Sequence, residues 1–112
     1  MIRHRNEMQF AEAENCHDGV GTLHLHTILD GSEGIPATFM HDDILEPGVT
    51  IGEHLHENSS EIYFVVEGEG IMIIDGKENP IFAGDVSWCL TGHSHGIINN
   101  SDKVMRLIVV GL

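Results

Sequence analysis

Short apolar runs cut by glycine recur along most of the chain. The clearest lie at residues 22–29, 38–45, 62–66, 71–74, 86–90 and 104–110. Between them sit Asp30-Gly31-Ser32-Glu33-Gly34, Glu46-Pro47-Gly48, Glu67-Gly68-Glu69-Gly70, Asp75-Gly76 and Ala83-Gly84-Asp85. Glycine at such breaks lets the backbone turn with positive φ at no steric cost. Asp75-Gly76 between two apolar runs predicts a two-residue hairpin. No segment shows a sustained helical period, so many short strands separated by turns predict an all-β sandwich or barrel.

Two runs say more. In Ile62-Tyr63-Phe64-Val65-Val66 and in Ile71-Met72-Ile73-Ile74, both alternating faces are apolar. A strand with one wet face alternates apolar and polar, so these strands should be covered on both sides. A chain of 112 residues has little left to supply the second cover. Either local loops and the N-terminal segment do it, or a second copy packs sheet on sheet; we expect a homodimer.

Composition narrows the function. The length fits one domain, 1–112. There are 18 Asp and Glu against 5 Lys and Arg, a formal net charge of −13. Arg3, Arg5, Lys77, Lys103 and Arg106 are too few and too scattered for a nucleic-acid face, and an anionic membrane would repel the chain. No apolar run approaches a membrane span, and the first residues carry no apolar signal segment. Cys16 and Cys89 form no recognisable disulfide or C-x-x-C pattern, so both are expected as free thiols in a cytoplasmic protein. Histidine is the anomaly, with 9 residues.

His54 and His56 are two apart, which on a strand places both imidazoles on one face, close enough to reach one ion. Glu61 follows a short polar break and opens the next apolar run, so a neighbouring strand can bring a carboxylate to the same spot. Imidazole plus one carboxylate suits Mn, Fe, Co, Ni, Cu or Zn rather than Mg or Ca.

The order Gly48, five residues, His54-x-His56, four residues, Glu61, six residues, Gly68 resembles the first motif of the cupin superfamily. Residues 84–99 resemble the second motif in Gly84, Gly92, His95 and Asn99, departing at Leu90, where proline is usual. The resemblance implies a double-stranded β-helix of jelly-roll type, a cupin barrel, with one divalent transition metal held by His54, His56, Glu61 and His95. The chain looks most like the small single-domain cupins described as oxalate decarboxylase-like. Three neutral histidines and one glutamate leave such a centre at formal +1, with positions open to a small carboxylate, an enediol or O₂. A metal-dependent enzyme on a small polar substrate is the first expectation, of dioxygenase, decarboxylase or isomerase type. A non-catalytic binding or sensing module is the alternative, because fold and ligands alone do not choose.

Further candidates are graded by position. Glu57, beside His56, and Glu33, in a glycine-rich loop, are loop acids suited to donate a proton. Tyr63 shares the parity of Glu61 and should face the cavity. Arg106 is the basic residue placed to meet a substrate carboxylate. On the strand holding His41-Asp42-Asp43, either His41 and Asp43 or Asp42 alone should face inward. His24 and His26 match no motif, His93 is out of register as a ligand, and His4 and His17 fall in peripheral segments.

Overall fold

The computed structural model describes residues 1–112. Its strands are β1 (Gln9–Glu14), β2 (Thr22–Leu29), β3 (Phe39–Leu45), β4 (Thr50–Leu55), β5 (Glu61–Glu67), β6 (Glu69–Ile74), β7 (Lys77–Phe82), β8 (Val86–Cys89), β9 (Ser94–Ile98) and β10 (Met105–Gly111). Short 3-10 turns occupy Arg5–Glu7 and Cys16–Asp18. One antiparallel sheet runs β1-β2-β3-β10-β5-β8 and the other β4-β9-β6-β7. From β3 onward the chain passes back and forth between the sheets, with only the β6–β7 hairpin staying inside one. That winding is the double-stranded β-helix expected from the motifs, although the two sheets keep separate edges rather than closing into a continuous barrel.

The hairpin at Asp75-Gly76 forms as its sequence requires, with φ of 48° and 78°, both positive. β10 lies between β3 and β5 and alternates strictly, with Met105, Leu107 and Val109 buried. These residues join Leu45, Val65, Tyr63, Ile97 and Met72 in a single core cluster drawn from both sheets. At the end of β10, Gly111 pairs with Phe39, whose ring occupies the space a Cβ at 111 would need.

Parity on β3 separates two adjacent aspartates. Asp42 faces the outer side of the sheet. There Arg106 Nε and Nη2 donate to its two oxygens at 2.9 Å, and Arg5 Nη1 donates at 2.9 Å. Those guanidinium groups hold the Asp42 carboxyl below its ordinary range despite burial, with Arg106 contributing most. Asp43, one residue on, faces the inner side.

β4 contains the fold's most consequential irregularity. Ile51 pairs with Ile97 and His54 with His95, so three steps on β4 match two on β9. The extra residue is a β-bulge, and it brings both Ile51 and His54 to the inner face. Gly52, inside the bulge, sits so close to the His17 carbonyl that a Cβ would collide with it.

Candidate metal centre

The bulge in β4 aims His54 inward, His56 follows just past the strand end, Glu61 opens β5, and His95 lies in β9 opposite His54. One ligand-capable atom from each of the four lies within 4.8 Å of every other. His56 Nε2 is 3.0 Å from His95 Nε2, and His95 Nε2 is 3.0 Å from Glu61 Oε1. His56 Nε2 and His54 Nε2 stand 3.6 and 3.9 Å from the same Glu61 oxygen. His95, His56 and Glu61 are 1, 8 and 9 % exposed, so water satisfies little of this cluster.

The donor atoms fit a cation. His54 Nδ1 lies 2.7 Å from the Gly52 carbonyl, which can only accept. In the neutral ring Nδ1 therefore carries the proton and Nε2 offers a lone pair. That Nε2 is buried without a hydrogen-bond partner. His56 is oriented in a similar way by the Ser59 hydroxyl, 3.1 Å from its Nδ1. Three imidazoles and one carboxylate able to hold a metal thus meet at one point, with the outer nitrogens of His54 and His56 tethered. Burial pushes Glu61 up, but the imidazoles of His54, His95 and His56 outweigh it and hold the carboxyl at about 2. Burial lowers His54, and the Glu61 carboxylate and the Gly52 carbonyl more than offset it.

The cluster opens through Glu61 onto a cavity of about 130 Å³ between the sheets. His41, Asp43 and Tyr63 line it, which settles the parity left open for β3: His41 and Asp43 inward, Asp42 outward. Tyr63 is 2 % exposed, its ring centre 4.6 Å from that of His95. Burial, then the Glu61 charge, raises its hydroxyl well above the ordinary tyrosine range. His41 stacks on Phe39, and burial lowers it. Larger surface clefts, of about 530 and 540 Å³, lie away from the cluster.

Other candidates are placed elsewhere. Glu57 is exposed on the loop after His56. Glu33 receives Arg3 at 2.9 Å and accepts from the backbone of Asp30 and Gly31, which ties down its own loop. Arg106 is engaged by Asp42 on the outer face, so the structure does not bring it to the cavity. His24 and His26 also point outward, beside Glu12 and Arg5 and against Phe10. His93 pairs with Asp75 at 2.6 Å on the surface.

Sequence reasoning missed His17. Its ring stacks on His54, centre to centre 3.6 Å and nearly parallel. The strap that carries it holds Asn15, His17 and Asp18 at φ of 50°, 51° and 60°, left-handed values uncommon outside glycine. The strap seats its carbonyl in the space left by Gly52. No motif marks this residue; only the packing of a distant strand places it.

A profile of the cupin domain matches residues 42–111. An oxalate-binding protein from Thermotoga maritima is 41% identical over 66 residues, which is 59% of this chain and 54% of that protein. The HTH-type transcriptional regulator PuuR of Escherichia coli is 29% identical over 89 residues, 70% of this chain and 48% of the regulator. The chain spans about half the length of these curated relatives. A crystal structure from Thermotoga maritima, described as a predicted oxalate decarboxylase, superposes with a TM-score of 0.92 at 30% identity. The match covers 100% of this chain and 98% of that one.

Proposed function

The chain belongs to the cupin family, and from that premise we propose that it is a metal-dependent enzyme acting on a small carboxylate. One divalent transition ion is held by His54, His56, Glu61 and His95. The observation that carries this reading is the convergence of three ring nitrogens and one carboxylate, with His54 Nε2 buried and unpartnered and Glu61 also lining a small cavity. Such an ion supplies Lewis-acid polarisation of an oxygen donor. The protein's own part is to admit and orient the ligand. Tyr63 keeps its proton at neutral pH and can donate a hydrogen bond, His41 presents a neutral imidazole, and Glu57 on the open loop is the acid in contact with solvent. The cavity holds the volume of about four waters, which limits the ligand to a few heavy atoms. Oxalate is the first probe, since the Thermotoga maritima relative is named for it.

A second reading, binding or sensing without turnover, is favoured by the names of the oxalate-binding and regulator relatives. One experiment separates the two. Metal content is measured after purification and after exposure to Mn, Fe, Co, Ni, Cu and Zn, then oxalate binding and product are followed under air and under nitrogen. We expect one ion per chain, oxalate binding that requires it, and product with at least one metal. Binding without product in every form would leave the module, and no metal uptake at all would overturn both readings.

The outer face of β10-β5-β8 bears on assembly. Phe64, Val66, Val86 and Trp88 are 39–60 % exposed there, and Phe64 pairs across with Val86 and Ile108. We assign this patch to a second copy of the chain, since a contiguous apolar face on so small a protein is costly to leave wet. Sedimentation at micromolar concentration should give twice the chain mass, and Trp88→Glu should shift it to the monomer. A wild-type monomer would remove the assignment. No helix is long and apolar enough to cross a membrane. Two free cysteines suit a reducing, cytoplasmic setting.

A further inference from the structure

Asp43 faces inward from β3, 3 % exposed, and its Oδ1 is buried with no hydrogen-bond partner. Its neighbours in register are Leu25 on β2 and Leu107 on β10. The titratable groups that share its cavity are Cys16 and His17 from the strap, His41 on its own strand, and Glu61 and Tyr63 from β5. From β2, β4 and β10 the lining is Leu23, Leu25, Ile51 and Val109, none of them ionisable. Arg5 and Arg106 are on the other side of the sheet with Asp42. A carboxylate in this position has no cation to pair with, and burying one unpaired is expensive. Burial first, then the charges of Glu61 and Asp42, pushes Asp43 up to about 7. Up to neutral pH the side chain is thus held as a carboxylic acid, a donor aimed into an otherwise mostly apolar recess. An apolar residue would fill the same space without the cost, so the acid is placed for something that enters the cavity.

We propose that Asp43 is the specificity-determining donor of this site: its protonated carboxyl gives a hydrogen bond to the distal carboxylate of a short dicarboxylate whose other end lies at the His54, His56, Glu61 and His95 cluster. The assignment rests on the carboxylate reading above and adds the residue that selects a two-ended ligand over a one-ended one. Where rising pH ionises the acid, the donor is lost and two carboxylates face each other.

The test uses metal-loaded wild type, Asp43→Asn and Asp43→Val, with metal content read at every pH. Oxalate and acetate binding are measured by calorimetry. Wild-type affinity for oxalate should fall about tenfold or more as rising pH ionises Asp43, at constant metal content. Asp43→Asn keeps an N–H donor and should show a flat profile over the same rise in pH. Asp43→Val should bind oxalate about tenfold more weakly than wild type at about pH 6. Acetate, with no distal end, should be indifferent to all three.

A separate readout uses the metal-free protein. The carboxyl is raised in the folded state, so its cost to stability grows as pH rises from the unfolded value to about 7 and is fully present above that. Both variants should therefore melt higher than wild type at about pH 8.5, which also establishes that they fold. Asp43→Val binding oxalate as tightly as wild type, or Asp43→Asn following the wild-type pH profile, would overturn the proposal while leaving the carboxylate reading intact. Loaded wild type that binds no oxalate at any pH would overturn the carboxylate reading and this proposal together.

Discussion

His95→Ala should leave a folded protein that no longer retains metal. His95 Nε2 stands 3.0 Å from both His56 Nε2 and Glu61 Oε1, so it is the atom through which the cluster is knit. Removing it takes one of four donors and leaves the remaining three without their common neighbour. Loss of a residue that merely orients a ligand costs about 10–100-fold in metal affinity, so loss of a ligand should cost at least about 100-fold. The fold should tolerate the change, because His95 Nδ1 is already buried without a partner and the core cluster does not include the residue. Two measurements check this. Metal content after dialysis should fall from one ion per chain to none. Thermal melting of wild type should rise on adding metal, by the equivalent of about 2.7 kcal/mol at about 100 times the dissociation constant, while the variant should not respond. A variant that still carries one ion after dialysis would show that the four residues are not the ligand set.

The largest effect on stability is expected from Leu107→Ala. Leu107 is fully buried at the middle of β10, flanked by β3 and β5, and belongs to the shared core. Truncating it removes buried apolar surface and opens a hole in a strand that cannot collapse, since both neighbours are fixed by ladder hydrogen bonds. Such changes cost about 3–4 kcal/mol, a large part of the 5–15 kcal/mol typical of a domain. Urea denaturation should show the midpoint falling with little change in slope. A midpoint shifted by less than the equivalent of about 1 kcal/mol would mean that the two sheets do not share this core.

The strands that carry the core were readable because burial writes itself into alternation. β2 was expected at 22–29 and forms there, β10 is shifted by one residue at each end, and β8 stops one residue short of expectation. The strands that left no such trace are exposed edges or interrupted ones. β1 (Gln9–Glu14) is exposed along nearly its whole length, so nothing selects apolar residues on either face. β7 (Lys77–Phe82) contains Pro80, which an edge strand tolerates. β9 was masked by the serine, histidine and glycine with which it begins.

For the site, the spacing of His54, His56, Glu61 and His95 was legible, because ligand geometry restricts which residue types and intervals work. The bulge that turns His54 inward was not, since a single extra residue leaves no compositional mark. Nor was the side of the sheet that Arg106 takes. Its partner Asp42 and the inward Asp43 are consecutive and identical in type, so only the pairing in three dimensions tells them apart.

That doublet has a consequence for how the chain folds. Sliding β3 by one residue against β10 would send Asp43 out to Arg106 and Asp42 in, exchanging one aspartate for the other. Met40 and Ile44 would replace His41 and Leu45 on the inner face, an exchange that leaves that face no less hydrophobic. Charge and hydrophobicity along this strand therefore do little to reject the wrong pairing, and the landscape is locally frustrated. What rejects it is shape: the ring of Phe39 fits only over a residue with no side chain, and Gly111 is that residue. The terminal pair of the ladder acts as its alignment mark, so Gly111→Ala would remove from the folding chain its means of telling the native register from its near-double.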